Sequence, residues 1–105
     1  MKRWYAELAG VFLLCVEEVL DNPPWTWRGY VLRQPTRHGF IRVPMCDPFP
    51  ATSETAAKKD AENTIRNNPF FRDYAGRVGE LQWKESELSE EEWEEKRNRF
   101  IAQTP

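Results

Sequence analysis

Histidine and cysteine are nearly missing from this chain, which has one His and two Cys in 105 residues. His38, Cys15 and Cys46 have no zinc-ligand spacing, and two cysteines make no disulfide framework. A Cys46–His38 nucleophile pair can be imagined, but an isolated pair of this kind is generally accidental. Only five glycines are present, and none builds a phosphate-cradling loop. The expectation is therefore no metal, no cofactor and no enzyme. Unpaired thiols suit a reducing compartment, so the expected location is cytoplasmic.

A long hydrophobic run is lacking too. LAGVFLLCV is too short to span a bilayer. Met1-Lys2-Arg3 before it looks faintly like a signal peptide. However, Glu7 interrupts the approach, Glu17 and Glu18 follow at once, and no small-x-small cleavage site appears. Leu14 stands where a lipoprotein motif needs a small residue. No membrane partner is expected. Internal repeats and low-complexity tracts are also absent.

Aromatic residues are abundant: five Trp, six Phe and three Tyr. A chain of this length is one domain and buries about two-thirds of its unfolded surface. The net charge of −2 is unevenly spread. Residues 1–79 carry eleven Lys/Arg against nine Asp/Glu, and residues 80–105 carry four against eight. A mildly basic body with an acidic tail is a poor nucleic-acid binder as a whole, although local basic patches are compatible with it.

The clearest element is a helix over Ser53–Asn67. Thr52 or Ser53 can cap its first turn, and Glu54 suits the positive end of the helix dipole. Ala57, Ala61 and Ile65 form a narrow apolar stripe, and Asn68-Pro69 ends the helix. Small alanines on the inner face predict close packing against a sheet. Upstream, residues 3–20 predict a first helix with Trp4, Leu8, Val11, Phe12, Cys15 and Val19 on one face. Asp21-Asn22-Pro23-Pro24 is a turn. Residues 25–33 read as a strand, followed by a turn over Gln34–Gly39 and a second strand, Phe40–Val43, as an antiparallel hairpin. A short extended edge is expected around Phe49. Downstream, a short helix begins at Pro69, and Leu81-Gln82-Trp83 reads as extended. Ser89 and Glu92 form a capping box for a last helix reaching about Ala102, with Trp93, Phe100 and Ile101 as its apolar contacts.

The predicted fold is α+β: a small antiparallel sheet packed on the first and central helices, in α-β-β-(β)-α order. Residues 4–67 form the core, and residues 68–105 are an acidic, helical C-terminal extension.

That order, with Ala57-Lys58-Lys59-Asp60-Ala61 on the second helix, resembles a double-stranded RNA-binding domain over residues 4–67. The family opens its second helix with a Lys-Lys-x-Ala-Lys pattern that contacts phosphates. Lys58, Lys59 and Ala61 match it, and Glu62 stands in place of the third lysine. A Gly-Pro-x-His element of the family enters a minor groove. Pro35 and His38 match it loosely, with Gln34 for the glycine and one residue inserted. The resemblance implies that Glu7 touches ribose hydroxyls.

Two functions follow as expectations. The first is a non-catalytic protein-interaction module of the inhibitor or adaptor type. Its partner would be another protein, with Trp25, Trp27, Trp83 and Trp93 as contact candidates, or a second copy through the C-terminal helix. The second is duplex RNA binding through Lys58, Lys59, His38, Arg37, Arg33 and Glu7. Trp25 and Trp27, interleaved with Arg28 and near Arg33, could stack on bases. Core residues of a half-buried strand are the plainer account of both.

Overall fold

A computed structural model describes residues 1–20, 22–34 and 49–102, with only the backbone of Phe70. Among the described residues, five strands form one antiparallel sheet: β1 (Arg3–Leu8), β2 (Phe12–Glu18), β3 (Trp27–Arg33), β4 (Phe49–Ala51) and β5 (Lys84–Glu85). Their spatial order is β4-β3-β2-β1-β5. Helix α1 (Glu54–Asn67) and the short α2 (Arg72–Ala75) cover one face, and α3 (Glu90–Ala102) covers the other.

The α+β class holds, but the opening helix does not. Residues 3–18 are instead a β-hairpin, with Arg3 opposite Glu17 and Leu8 opposite Phe12. Its turn carries positive φ at both Ala9 (56°) and Gly10 (68°), the backbone that a tight hairpin requires. The difference has a physical cause. β2 is the central strand and is covered on both faces, so Phe12, Leu13, Leu14, Cys15 and Val16 are all fully buried. A strand buried twice shows no alternation, and its apolar run imitates a core helix. The second helix that packs on the sheet is therefore α3, and it does so within its own chain.

β3 forms as expected and pairs with β2, Glu18 opposite Trp27 through Phe12 opposite Arg33. The extended edge at Phe49 is β4, with Phe49 opposite Gly29. The predicted turn after Gln34 and the strand Phe40–Val43 lie outside the described residues. β5 begins one residue beyond the extended Leu81-Gln82-Trp83 and pairs with β1.

α1 matches its predicted bounds. The Ser53 hydroxyl accepts a hydrogen bond from the Ala56 amide at 3.1 Å, and Ala57, Ala61 and Ile65 are its buried residues. Those alanines bring the helix close to the sheet over Val16 and Gly29. A Cβ on Gly29 would lie 3.2 Å from the Ala57 carbonyl oxygen and 2.5 Å from the Phe49 ring, so glycine sets this approach. Further along, Leu8, Phe12, Leu14 and Val31 pack under Ile65, Phe71 and Val78. Phe12 meets Phe71 and Tyr74 edge-on at centroid distances of 4.9 and 5.0 Å.

The capping box of α3 is present in both directions. The Glu92 amide donates to Ser89 Oγ at 3.2 Å, and the Ser89 amide donates to Glu92 Oε1 at 3.3 Å. Trp93 and Phe100 then close over Leu13, Cys15, Tyr30 and Leu32. No described helix is long and apolar enough to cross a membrane.

Candidate functional site

The two-residue period of the strands arranges side chains in rows across the sheet. On the α3 face, Arg3, Glu17 and Arg28 stand opposite one another on β1, β2 and β3. Glu17 is buried, yet its oxygens are well served. Oε2 accepts from Arg28 Nε at 3.1 Å and Nη2 at 2.8 Å. Oε1 accepts from the Tyr30 hydroxyl and from Trp93 Nε1 at 3.1 Å. Arg3 lies within ion-pairing distance of Glu17 and also pairs with Glu90 at the start of α3. Arg97 donates to the Tyr30 hydroxyl at 3.2 Å. Burial pushes the Glu17 carboxyl up, but the bonds from Tyr30, Arg28 and Trp93 outweigh it and hold the group below its ordinary value. Burial pushes the Tyr30 hydroxyl well above its usual range, and Glu17 adds to the effect.

This network fastens α3 to the sheet. It leaves the carboxylate little capacity for chemistry, since its lone-pair positions are occupied. Cys15 lies beside it, free and fully buried. Burial is also the main reason its thiol is pushed far above the normal range. Such a thiol is a small hydrophobe rather than a nucleophile. Among the described residues, no group of three or more His, Cys, Asp or Glu could hold a metal ion.

The predicted contact tryptophans separate sharply. Trp93, 1% exposed, is a core residue, so its proposed role as a surface contact is corrected: its indole is spent on Glu17. Trp83 is half-buried, and its Nε1 donates to Glu62 at 3.1 Å. Trp27 is half-buried against Val16, Ala51 and Ala57. Trp25 is 45% exposed, in the segment leading into β3. It lines an open cleft of about 220 Å³ with Trp27, Phe49, Pro50, Arg28 and Asn22.

Of the residues predicted to touch RNA, the described ones are not gathered on one surface. Lys58 stands over the Trp4 ring, 3.7 Å from its centroid, and pairs with Glu54 at 3.0 Å. Lys59 is exposed on the same helix. Arg33 lies across the Phe12 and Phe71 rings at 5.4 and 5.2 Å. Glu7 is on β1 rather than on a helix, on the α3 face, with Lys96 at 3.9 Å. Arg37 and His38, with Pro35 and Cys46, lie outside the described residues.

Glu17 and Tyr30 were not singled out from sequence. A glutamate directly after an apolar strand and a tyrosine in the next strand were the available signs, but their meeting depends on register. No protein-family model, curated protein or solved structure matches this chain.

Proposed function

We propose that this chain is a non-catalytic protein-binding module, and that it receives an extended, proline-rich segment of its partner in the cleft at Trp25. The observation that carries this reading is the exposure of Trp25 beside Trp27, Phe49 and Pro50. The exposed indole continues into Trp27, Phe49 and Pro50 along one cleft, and a contiguous apolar patch with tryptophan in it is the kind of surface that recognition uses. The cleft chemistry fits that occupant. Flat aromatic faces suit proline rings, while Arg28 and the Trp25 indole offer donors to the free carbonyls of a polyproline II backbone. The half-exposed Arg28 side chain can serve this role because Glu17 engages only one edge of it. The commitment of Glu17 and Cys15 to the interior supports a binding rather than a catalytic role.

Titration of the intact chain with a panel of proline-rich peptides tests the proposal, read by tryptophan fluorescence and by indole N–H shifts. Saturable binding that weakens at least tenfold in Trp25→Ala is expected. No binding across the panel, or binding indifferent to Trp25→Ala, would overturn it. A parallel gel-retardation series with duplex RNA covers the other expectation. Retardation that falls steeply with salt and disappears in a Lys58→Ala/Lys59→Ala variant would replace this reading with RNA binding.

A further inference from the structure

The opposite edge of the α1 face holds a second aromatic arrangement, which the cleft at Trp25 does not use. Trp4 on β1 and Trp83 just before β5 flank the first turns of α1. The Lys58 ammonium lies 3.7 Å from the Trp4 ring centroid and 5.8 Å from that of Trp83. Glu54 Oε2 completes its surroundings at 3.0 Å. Trp83 is held in place by its hydrogen bond to Glu62, which also pairs with Arg66. Trp4 Nε1 is buried without a hydrogen-bond partner among the described residues, so that ring is placed by packing and by the cation above it.

Two indole faces and a carboxylate around one ammonium are the elements of an aromatic cage, which selects alkylammonium groups through the ring quadrupoles. Here the cage is filled by the chain's own lysine. Lys58 is attached through a flexible four-carbon stem on a solvent-facing helix, and its side chain keeps about 20% of its surface exposed. It can therefore leave without unfolding anything. We propose that Trp4, Trp83 and Glu54 form a binding site for an alkylammonium group, such as a methylated lysine or a quaternary amine, with Lys58 as its resident and displaceable occupant. A tethered occupant competes at high effective concentration, so the site is masked in the resting protein. A quaternary ammonium has the advantage of lower hydration, because leaving water for an aromatic face costs it less than it costs a primary ammonium.

The intact protein tests this with tetramethylammonium chloride as the probe. Acetylation by acetic anhydride, followed residue by residue by mass spectrometry, should be at least fivefold slower at Lys58 than at exposed Lys59. Tetramethylammonium should accelerate the Lys58 reaction several-fold, and sodium chloride at equal ionic strength should not. Equal rates in the two salts overturn the proposal, because Lys58 would then be a fixed strut. In a Lys58→Ala variant shown to be folded by circular dichroism, the probe should shift the Trp4 and Trp83 indole resonances and bind at least tenfold more tightly than to the parent. A folded Lys58→Ala protein with no such response, or a response that persists unchanged after Trp4→Leu, also overturns it. Should Lys58→Ala fail to fold, the labelling measurement on the unaltered chain decides alone.

Discussion

Glu17 and Arg28 face each other across β2 and β3, and one guanidinium grips one carboxylate oxygen through two nitrogens. Tyr30 and Trp93 occupy the other oxygen, so a single side chain ties two strands to the last helix. Removing one member of a buried charged network leaves the rest unpaired, which costs far more than an exposed ion pair is worth. Glu17→Ala should lower the unfolding free energy by about 3–5 kcal/mol. Urea denaturation checks this, and a loss below about 1 kcal/mol would show that α3 is held by Trp93 and Phe100 packing alone.

The same carboxylate makes α3 docking sensitive to acid. Its folded pKa is below the unfolded one, because the hydrogen bonds outweigh the cost of burial. The stabilisation is therefore complete above the unfolded pKa, about 4.3. It fades as the pH falls from there through the folded pKa. The difference in stability between the parent and Glu17→Gln should be constant near neutrality and shrink below about pH 4.3. Denaturant midpoints measured on both proteins between pH 7 and pH 3 provide the comparison. A difference that grows on acidification would contradict the assignment.

Gly29 is the seat of both Phe49 and α1. An added methyl group would collide with the Phe49 ring and press on the Ala57 carbonyl. Gly29→Ala should cost about 1–3 kcal/mol, the usual range for overpacking. Part of that cost should vanish when Phe49 is also cut to alanine, because the ring is the nearer obstacle. A double-mutant cycle reads this coupling, and additive effects would mean that the helix backbone is what objects.

The β1–β2 turn has room for improvement. Ala9 occupies left-handed backbone at φ 56°, a region that an alanine Cβ disfavours and asparagine tolerates. Ala9→Asn creates Asn-Gly, the preferred pair for this turn. Ala9 is exposed, so no packing is lost. A gain of roughly 0.5–1 kcal/mol in thermal or denaturant unfolding is expected, a fraction of the left-handed penalty, and destabilisation would show that the turn is held by something other than its dihedral preferences.

The two long helices were readable because their signals are local. Ser53 with Asn68-Pro69, and Ser89 with Glu92, each act within a few residues of chain. The alanine stripe of α1 likewise reported its buried face correctly. β1 and β2 were misread because burial of both faces of β2 erased the period that separates a strand from a helix. The site residues were harder still. Glu17 and Trp93 are 76 positions apart, and only the sheet register and the return of α3 bring them together. Lys58 was legible as a helical lysine, but its engagement by Trp4 depends on where β1 lies, which the supposed first helix concealed. Trp27 opens β3, two residues later than the predicted start, and Trp25 precedes the strand and is the more exposed of the two.

The order in which the two faces of the sheet are sealed has a consequence for synthesis. β1, β2 and β3 are neighbours in sequence and can zip together early. The helix that shields Leu13, Cys15, Tyr30 and Leu32 lies more than fifty residues later. Until the ribosome has delivered Phe100, an oily, three-stranded ribbon stands open to solvent or to any chaperone within reach, and a prematurely terminated product would keep that sticky side for good.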